Sequence, residues 1–305
     1  MTSAGSKFNE RSMLLFSFWM GVMFTAMGVG WGLAIQSGVI LFDGIYSGLS
    51  IILSMLSIAA LGMIDKPADD NFQFGRMALE PLVLALKSVV IIGVCVYGAV
   101  TAVVHIRTGG LESTSSLLGM LYAAVSIAAC LLSWLYLKIR GKNMPALVQA
   151  ESEQWAMDTI FSSIVLVSFL LSYLLSFTPW NEAVPYIDPG MVLLASIYFV
   201  RVPLRRFVAS LRELLMMAPA STVRDDLNRR IEVLAKMHRF DGAKVRVAKI
   251  GRELAVDIAF LAPSGFGKVD IEYLDRIRAE VEDSLSHLDL KLWTNILFTK
   301  DRRWA

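Results

Sequence analysis

Apolar residues run in blocks too long for one face of a soluble helix, near residues 13–35, 38–63, 77–105, 115–137, 148–176 and 183–200. A helix needs about 20 residues to cross roughly 30 Å of hydrocarbon, and almost every block supplies that length. The pattern predicts six membrane-spanning helices. Beyond residue 212 its character changes: charged positions alternate with apolar ones, and no apolar run reaches spanning length. Residues 221–238 (STVRDDLNRRIEVLAKMH) begin with Ser and Thr, carry acids in the first turn and space their apolar positions helically, which predicts a helix. Residues 244–250 and 253–261 alternate apolar and polar positions about Gly251 and Arg252, the mark of a hairpin. An amphipathic helix over 269–287 and a strand over 290–299 complete the order α-β-β-α-β. The expected fold is therefore an all-α bundle of six transmembrane helices over 1–212, followed by a ferredoxin-like α+β domain over 213–305.

Composition agrees: of 305 residues, 55% are hydrophobic and only 18% charged, the profile of an integral membrane protein. A net charge of +2 with basic residues dispersed among acids argues against a nucleic-acid partner. The placement of charge says more than its sum. Lys7 and Arg11, Lys66 and Arg76, Lys138, Arg140 and Lys142, and then Arg201, Arg205, Arg206 and Arg212 all flank same-side connections, whereas the opposite loops hold little beyond Arg107. The positive-inside rule puts both termini and these loops in the cytoplasm, and the expected location is the plasma (inner) membrane, crossed several times. The first apolar block is expected to be an uncleaved helix. Cys95 and Cys130 lie in apolar blocks without metal-ligand spacing and read as core residues.

Two acids stand inside the apolar blocks, each with a polar residue four positions away: Asp43 with Ser47, and Asp158 with Gln154. A carboxylate in hydrocarbon is costly unless it faces a bundle interior, an ion or a counter-charge. Residues at i and i+4 share a helix face. Two such faces turned together would surround one point with four oxygen-bearing side chains, a cation site in outline. Each has a plainer alternative: Asp43 as a solvated helix-end acid, Ser47 as one of a stripe of small packing residues with Ser50, Ser54 and Ser57, and Gln154 as part of a polar entrance with Glu151 and Glu153, themselves expected to be solvated.

Several stretches resemble the cation diffusion facilitator family in that family's order. They are KPADDNFQFGRMALEPL between the second and third spans, Asp188-Pro189 opening the sixth, SLRELLMMAPAS leaving the membrane, and VRVAKIGRELAVDIAFLAP in the terminal domain. The resemblance implies a homodimeric, proton-coupled exporter of divalent cations, with lipid as its surroundings, no resident cofactor and no enzymatic activity. It also implies transport ligands at Asp43, Ser47, Gln154 and Asp158. Zinc-transporting members place Asp, Asp, His and Asp there, so Ser47 and Gln154 are departures. Losing the imidazole shifts the donor set toward oxygen and harder ions, and a cation of the Mn/Fe/Co/Zn class is expected, its identity left open. The acidic loop keeps Asp69 and Asp70 but has Phe72 and Gln73 where a His-Pro pair is common, and His238 and His287 lack ligand neighbours; no further metal site is expected.

Lys87, deep in the third span, needs a counter-charge. Its expected partner is Glu80, two turns away, and the competing reading is a site carboxylate, Asp43 or Asp158, with the ammonium standing in for the cargo. An enzyme would need a Ser/His or paired-Asp arrangement, and His105 is the sole histidine near a span. The remaining alternative is a transport-inactive sensor or scaffold that keeps the fold.

Overall fold

The computed structural model describes residues 3–34, 38–64, 66–110, 117–142, 144–219, 221–267, 269–286, 288 and 291–304. Six helices are long and apolar enough to cross a membrane: α1 (Ser3–Ala34), α2 (Gly38–Ile64), α3 (Leu79–Arg107), α4 (Leu117–Arg140), α5 (Ala146–Leu175) and the run containing α6 (Val184–Phe199). The expected six-span bundle is present, with two differences in extent. First, α1 begins ten residues before its apolar block, because Ala, Lys, Glu and Arg favour helix as well as apolar residues do, and hydropathy marks only the buried length. Second, the last span continues past Phe199 into α7 (Arg201–Leu214), which carries Arg201, Arg205, Arg206 and Arg212. Two compact units result, Met1–Val208 and Ala209–Ala305.

In the first unit the tightest packing gathers at one end. Met13 and Leu14 of α1, Leu61 of α2, Leu84 of α3, Leu137 of α4, and Leu147 with Trp155 of α5 form a continuous buried cluster. These positions lie near the starts of α1, α3 and α5 and the ends of α2 and α4, so one end of the bundle is closed. Outward faces carry large apolar side chains such as Trp19, Ile52, Val100 and Leu132, suited to lipid. Two glycines allow close approaches that a side chain would forbid. A Cβ on Gly141 would stand 2.4 Å from the Leu137 carbonyl oxygen, in the short connection from α4 to α5; one on Gly110, at φ +90°, would stand 2.4 Å from Pro185 at the start of α6.

The second unit follows the expected α-β-β-α-β order: α8 (Ser221–Met237), β1 (Gly242–Ile250), β2 (Glu253–Leu261), α9 (Ile271–Leu285) and β3 (Lys291–Thr299). β1 and β2 pair antiparallel with Ile250 opposite Glu253, across a two-residue turn in which Gly251 takes φ +57°, a conformation glycine adopts at no steric cost. β3 joins β2 in parallel. Leu227, Ile231 and Ala235 of α8, at a spacing of four, pack with Ile277, Val281 and Leu285 of α9 against Leu254, Val256, Ile258 and Phe260 of β2. The strand supplies alternate residues and each helix one stripe, as those two periods require. Asp270 caps α9 by accepting the Tyr273 amide at 2.8 Å. His238 is shared between Glu280 (2.7 Å) and the Tyr273 hydroxyl (3.1 Å), so it serves the packing of α8 on α9. His287 lies outside the described residues.

Candidate cation site

The polar residues of α2 and α5 form two stripes that meet. On α2, Ser47, Ser50, Ser54 and Ser57 recur at intervals of three and four; on α5, Glu151, Gln154, Asp158 and Ser162 do the same, and both spacings keep one face of a helix. The helices run antiparallel along the contact: Ser54 and Ser57 bond Glu151, Ser50 bonds Gln154, and Ser47 lines a small cavity with Asp158. The serine stripe therefore does more than permit close packing. It supplies hydroxyls to a facing row of carboxyl and amide groups.

Near the ends of this contact the two stripes differ in how completely their groups are used. Glu151 is 1% exposed, which corrects the expectation that it is solvated. One carboxylate oxygen accepts Ser17 of α1 at 2.5 Å and Ser54 at 2.8 Å; the other accepts Ser57 at 3.2 Å and Lys87 of α3 at 2.5 Å. The Trp155 indole donates to Ser17 at 2.8 Å, and Lys87 also donates to Ser57 at 3.1 Å. Four helices thus converge on one ion pair. Lys87 was expected to pair with Glu80, and this too is corrected: its partner is Glu151. The reason is geometric. Glu80 stands seven residues back on the same helix, whereas Glu151 meets Lys87 from α5. Lys87 stands about 12 Å into α3 at the helical rise of ~1.5 Å per residue, a depth at which an unpaired ammonium is expensive. Glu153, one face over, is partly exposed and pairs with Arg206 of α7 at 2.6 Å.

One turn deeper on α5, Gln154 is 8% exposed. Its amide nitrogen donates to Ser50 at 2.7 Å, and its carbonyl oxygen is buried with no hydrogen-bond partner among the described residues. Asp158, a further turn on, lines two cavities. One, of about 40 Å³, is also bordered by Ser47, Ser50 and Ser162. The other, of about 490 Å³, extends from Ser50, Gln154 and Asp158 past Tyr97, Thr101 and His105 of α3 and Ser126 of α4 to Pro189 and Ser196 of α6. Ser126, which also lines this cavity, has a buried hydroxyl without a hydrogen-bond partner among the described residues. Cys95 borders the same space and Cys130 the smaller one.

Of the expected ligands, Ser47, Gln154 and Asp158 come together about these cavities, with Lys87 one to two turns away and turned to Glu151. Asp43 belongs to α2, and its side chain lies outside the described residues. Among the described residues, no three His, Cys, Asp or Glu side chains cluster; a cation here would be held by one carboxylate with amide and hydroxyl oxygens, a set that suits hard ions. The acidic loop is committed elsewhere. Asp69 accepts the Arg76 guanidinium and the amides of Asn71 and Phe72, and Arg76 also stacks on Phe72 with its carbon 4.5 Å from the ring centre. The guanidinium, and then the Phe72 amide, hold the Asp69 carboxyl below its ordinary range.

Residues 14–215 match the cation efflux transmembrane domain family. A relative, the manganese efflux system protein MneP of Bacillus subtilis (strain 168), is 23% identical over 174 residues, covering 56% of this chain. The match spans 58% of the length of that relative.

Proposed function

The chain belongs to the cation efflux family, a multi-pass membrane protein of metal cation efflux, and on that premise we propose that it exports a divalent cation by alternating access in exchange for protons. The observation that carries the proposal is the pair Gln154 and Asp158. A buried amide whose carbonyl oxygen has no hydrogen-bond partner among the described residues and a carboxylate stand one turn apart on α5, the amide bonded to Ser50 and the carboxylate lining a cavity with Ser47 and Ser50. In a protein interior, polar atoms are almost always paired, so an unpaired oxygen beside a carboxylate is where a cation gains most. Asp43 is the fourth ligand in this reading.

The cargo is a hard divalent ion, with Mn²⁺ first. The donors are oxygens, position 154 carries an amide and not an imidazole, and a relative at 23% identity is a manganese efflux system protein. Cargo enters an oxygen cage, and protonation of the carboxylates weakens it for release. Without a histidine, Asp158 and Asp43 carry the exchange.

The direction of access follows from where the packing is tight. The Glu151 cluster and the buried core close the bundle at the starts of α1, α3 and α5. The large cavity lies on the other side of Gln154 and Asp158. With the termini in the cytoplasm, as the placement of Lys and Arg supports, this conformation is closed toward the cytoplasm of the plasma membrane. The second unit, Ala209–Ala305, serves dimerisation and regulation.

The competing reading, a transport-inactive sensor or scaffold, drew support from Lys87 as a resident substitute for cargo. That support weakens, since Lys87 is engaged by Glu151 and Ser57. Purified full-length protein in proteoliposomes separates the two: Mn²⁺-dependent proton flux is the expected result. Absence of flux with each of manganese, iron, cobalt, zinc, cadmium and magnesium would instead favour the sensor.

A further inference from the structure

A cation bound at Gln154 and Asp158 has to reach them from the cytoplasmic end of α5, and Glu151 stands on that route. It lies on their face of the helix, nearer the start of α5 and about 10 Å before Asp158 at the helical rise. Lys87 holds it at 2.5 Å, with both side chains almost wholly buried. An ammonium at this point repels an incoming divalent ion, so the pair has to part before cargo can pass.

The packing around the pair shows which helices would separate. α3 packs chiefly on α6 and α5 on α4, and few residues of α3 approach α5. Lys87 comes to the Glu151 cluster from α3, whereas Ser17, Ser54, Ser57 and Trp155 come from α1, α2 and α5. A thinly packed seam therefore carries a buried ion pair. Holding the seam shut does not require charge, since a well-packed apolar pair of similar volume holds about as well or better. The two kinds of contact differ on opening. Water entering the seam hydrates two charges and so recovers the desolvation that closure imposed, whereas apolar side chains resist the same exposure. Charge is what makes the closure reversible.

We propose that Lys87 and Glu151 form the cytoplasmic gate: a charged contact between α3 and α5 that parts to admit the divalent cation and re-forms behind it. The pair acts on the route to the site and is no ligand of the bound ion. The inference rests on the export reading and the topology above, and its test keeps them separable.

The test is Lys87→Met with Glu151→Met in the full-length protein. The serines that lose Glu151 can turn to carbonyls of their own helix, as Ser57 already does to Leu53 at 3.1 Å, so the double variant should melt close to wild type. Its Mn²⁺ flux in proteoliposomes should fall about tenfold or more, because the closed state gains on the open one. Side-specific labelling reads the gate itself. With Cys95 and Cys130 changed to Ala, Ser50→Cys places one thiol on the border of both cavities. In right-side-out and inside-out membrane vesicles, a membrane-impermeant maleimide should reach it from both sides while Lys87 and Glu151 are present, and from the outer side alone in the Met pair. Equal cytoplasmic labelling with and without the pair would overturn the proposal. So would wild-type flux through the folded double variant, or a thermal midpoint as low as that of Lys87→Met alone. If wild type carries no Mn²⁺, the export reading fails, whereas the gate is still decided by the labelling, which needs no cargo.

Discussion

Glu151 and Gln154 stand one helical turn apart on α5, are almost equally hidden, and face the same serine stripe of α2, yet their polar atoms are in opposite states. Glu151 accepts four hydrogen bonds from three helices, one of them from a lysine. Gln154 makes one, through its nitrogen, and its enclosed oxygen has no hydrogen-bond partner among the described residues. A fully satisfied buried network rigidifies and specifies a packing. An incomplete one is out of keeping with native interiors unless something else completes it. The difference fits the proposed division of roles, in which Glu151 fastens α1, α2, α3 and α5 together and Gln154 with Asp158 serves the transported ion.

The sharpest way to break this comparison is to strip the counter-charge from the fastened side. Lys87→Met leaves the Glu151 carboxylate buried without its cation, a change that costs about 3–5 kcal/mol. Detergent-solubilised protein should show a much lower thermal midpoint or fail to elute as a single species. Lys87→Met with Glu151→Met should recover most of that loss, since an apolar pair of similar volume can replace a buried ion pair. Equal losses in the single and double variants would mean that the charge pair itself is not what holds the helices.

On the open side, stability should change little and ion preference should change more. Gln154→His puts an imidazole where the family resemblance implies one in zinc-transporting members, and is expected to raise transport of Zn²⁺ relative to Mn²⁺ by about an order of magnitude, read as the ratio of the two kcat/KM values. An unchanged ratio would remove Gln154 from the ligand set.

The smallest effect belongs to the loop between α2 and α3. Arg76 depresses the Asp69 carboxyl, so their interaction contributes stability above the unfolded carboxyl value of about 3.9 and loses it as pH falls through the lower folded value. Asp69→Asn should melt slightly earlier than wild type at pH 7, and the gap should close in acid. With Asp69 tied to its own loop, Mn²⁺ transport should be as in wild type.

The architecture was legible because it rests on period and length. The apolar blocks are long enough to span only as helices, and the strands of the second unit alternate cleanly about Gly251, so element order and type follow from local pattern. The candidate site was legible in part. The interval of four residues between Gln154 and Asp158 marks one helix face, and the structure brings that face against Ser47 and Ser50. What sequence reasoning missed are the partners across helices. Sequence spacing points Lys87 to Glu80 because spacing along one helix can be read directly, whereas the approach of α3 to α5 depends on how four helices pack. Glu151 read as solvated beside Glu153, although its interval of three to Gln154 placed it on the buried face and Glu153 off it. Ser50 reads as a packing residue for the same reason: a hydroxyl looks alike in sequence whether it faces lipid, backbone or the amide of a facing helix.

The central claim is that Asp158 and Gln154 hold a transported divalent cation while Glu151 does not. Mn²⁺ flux into proteoliposomes bearing Asp158→Ala, compared with wild type at equal protein and matched thermal midpoint, tests it most directly. The account predicts that wild type transports and that Asp158→Ala falls to the rate of empty vesicles while remaining folded. Wild-type flux retained by a folded Asp158→Ala protein would contradict it.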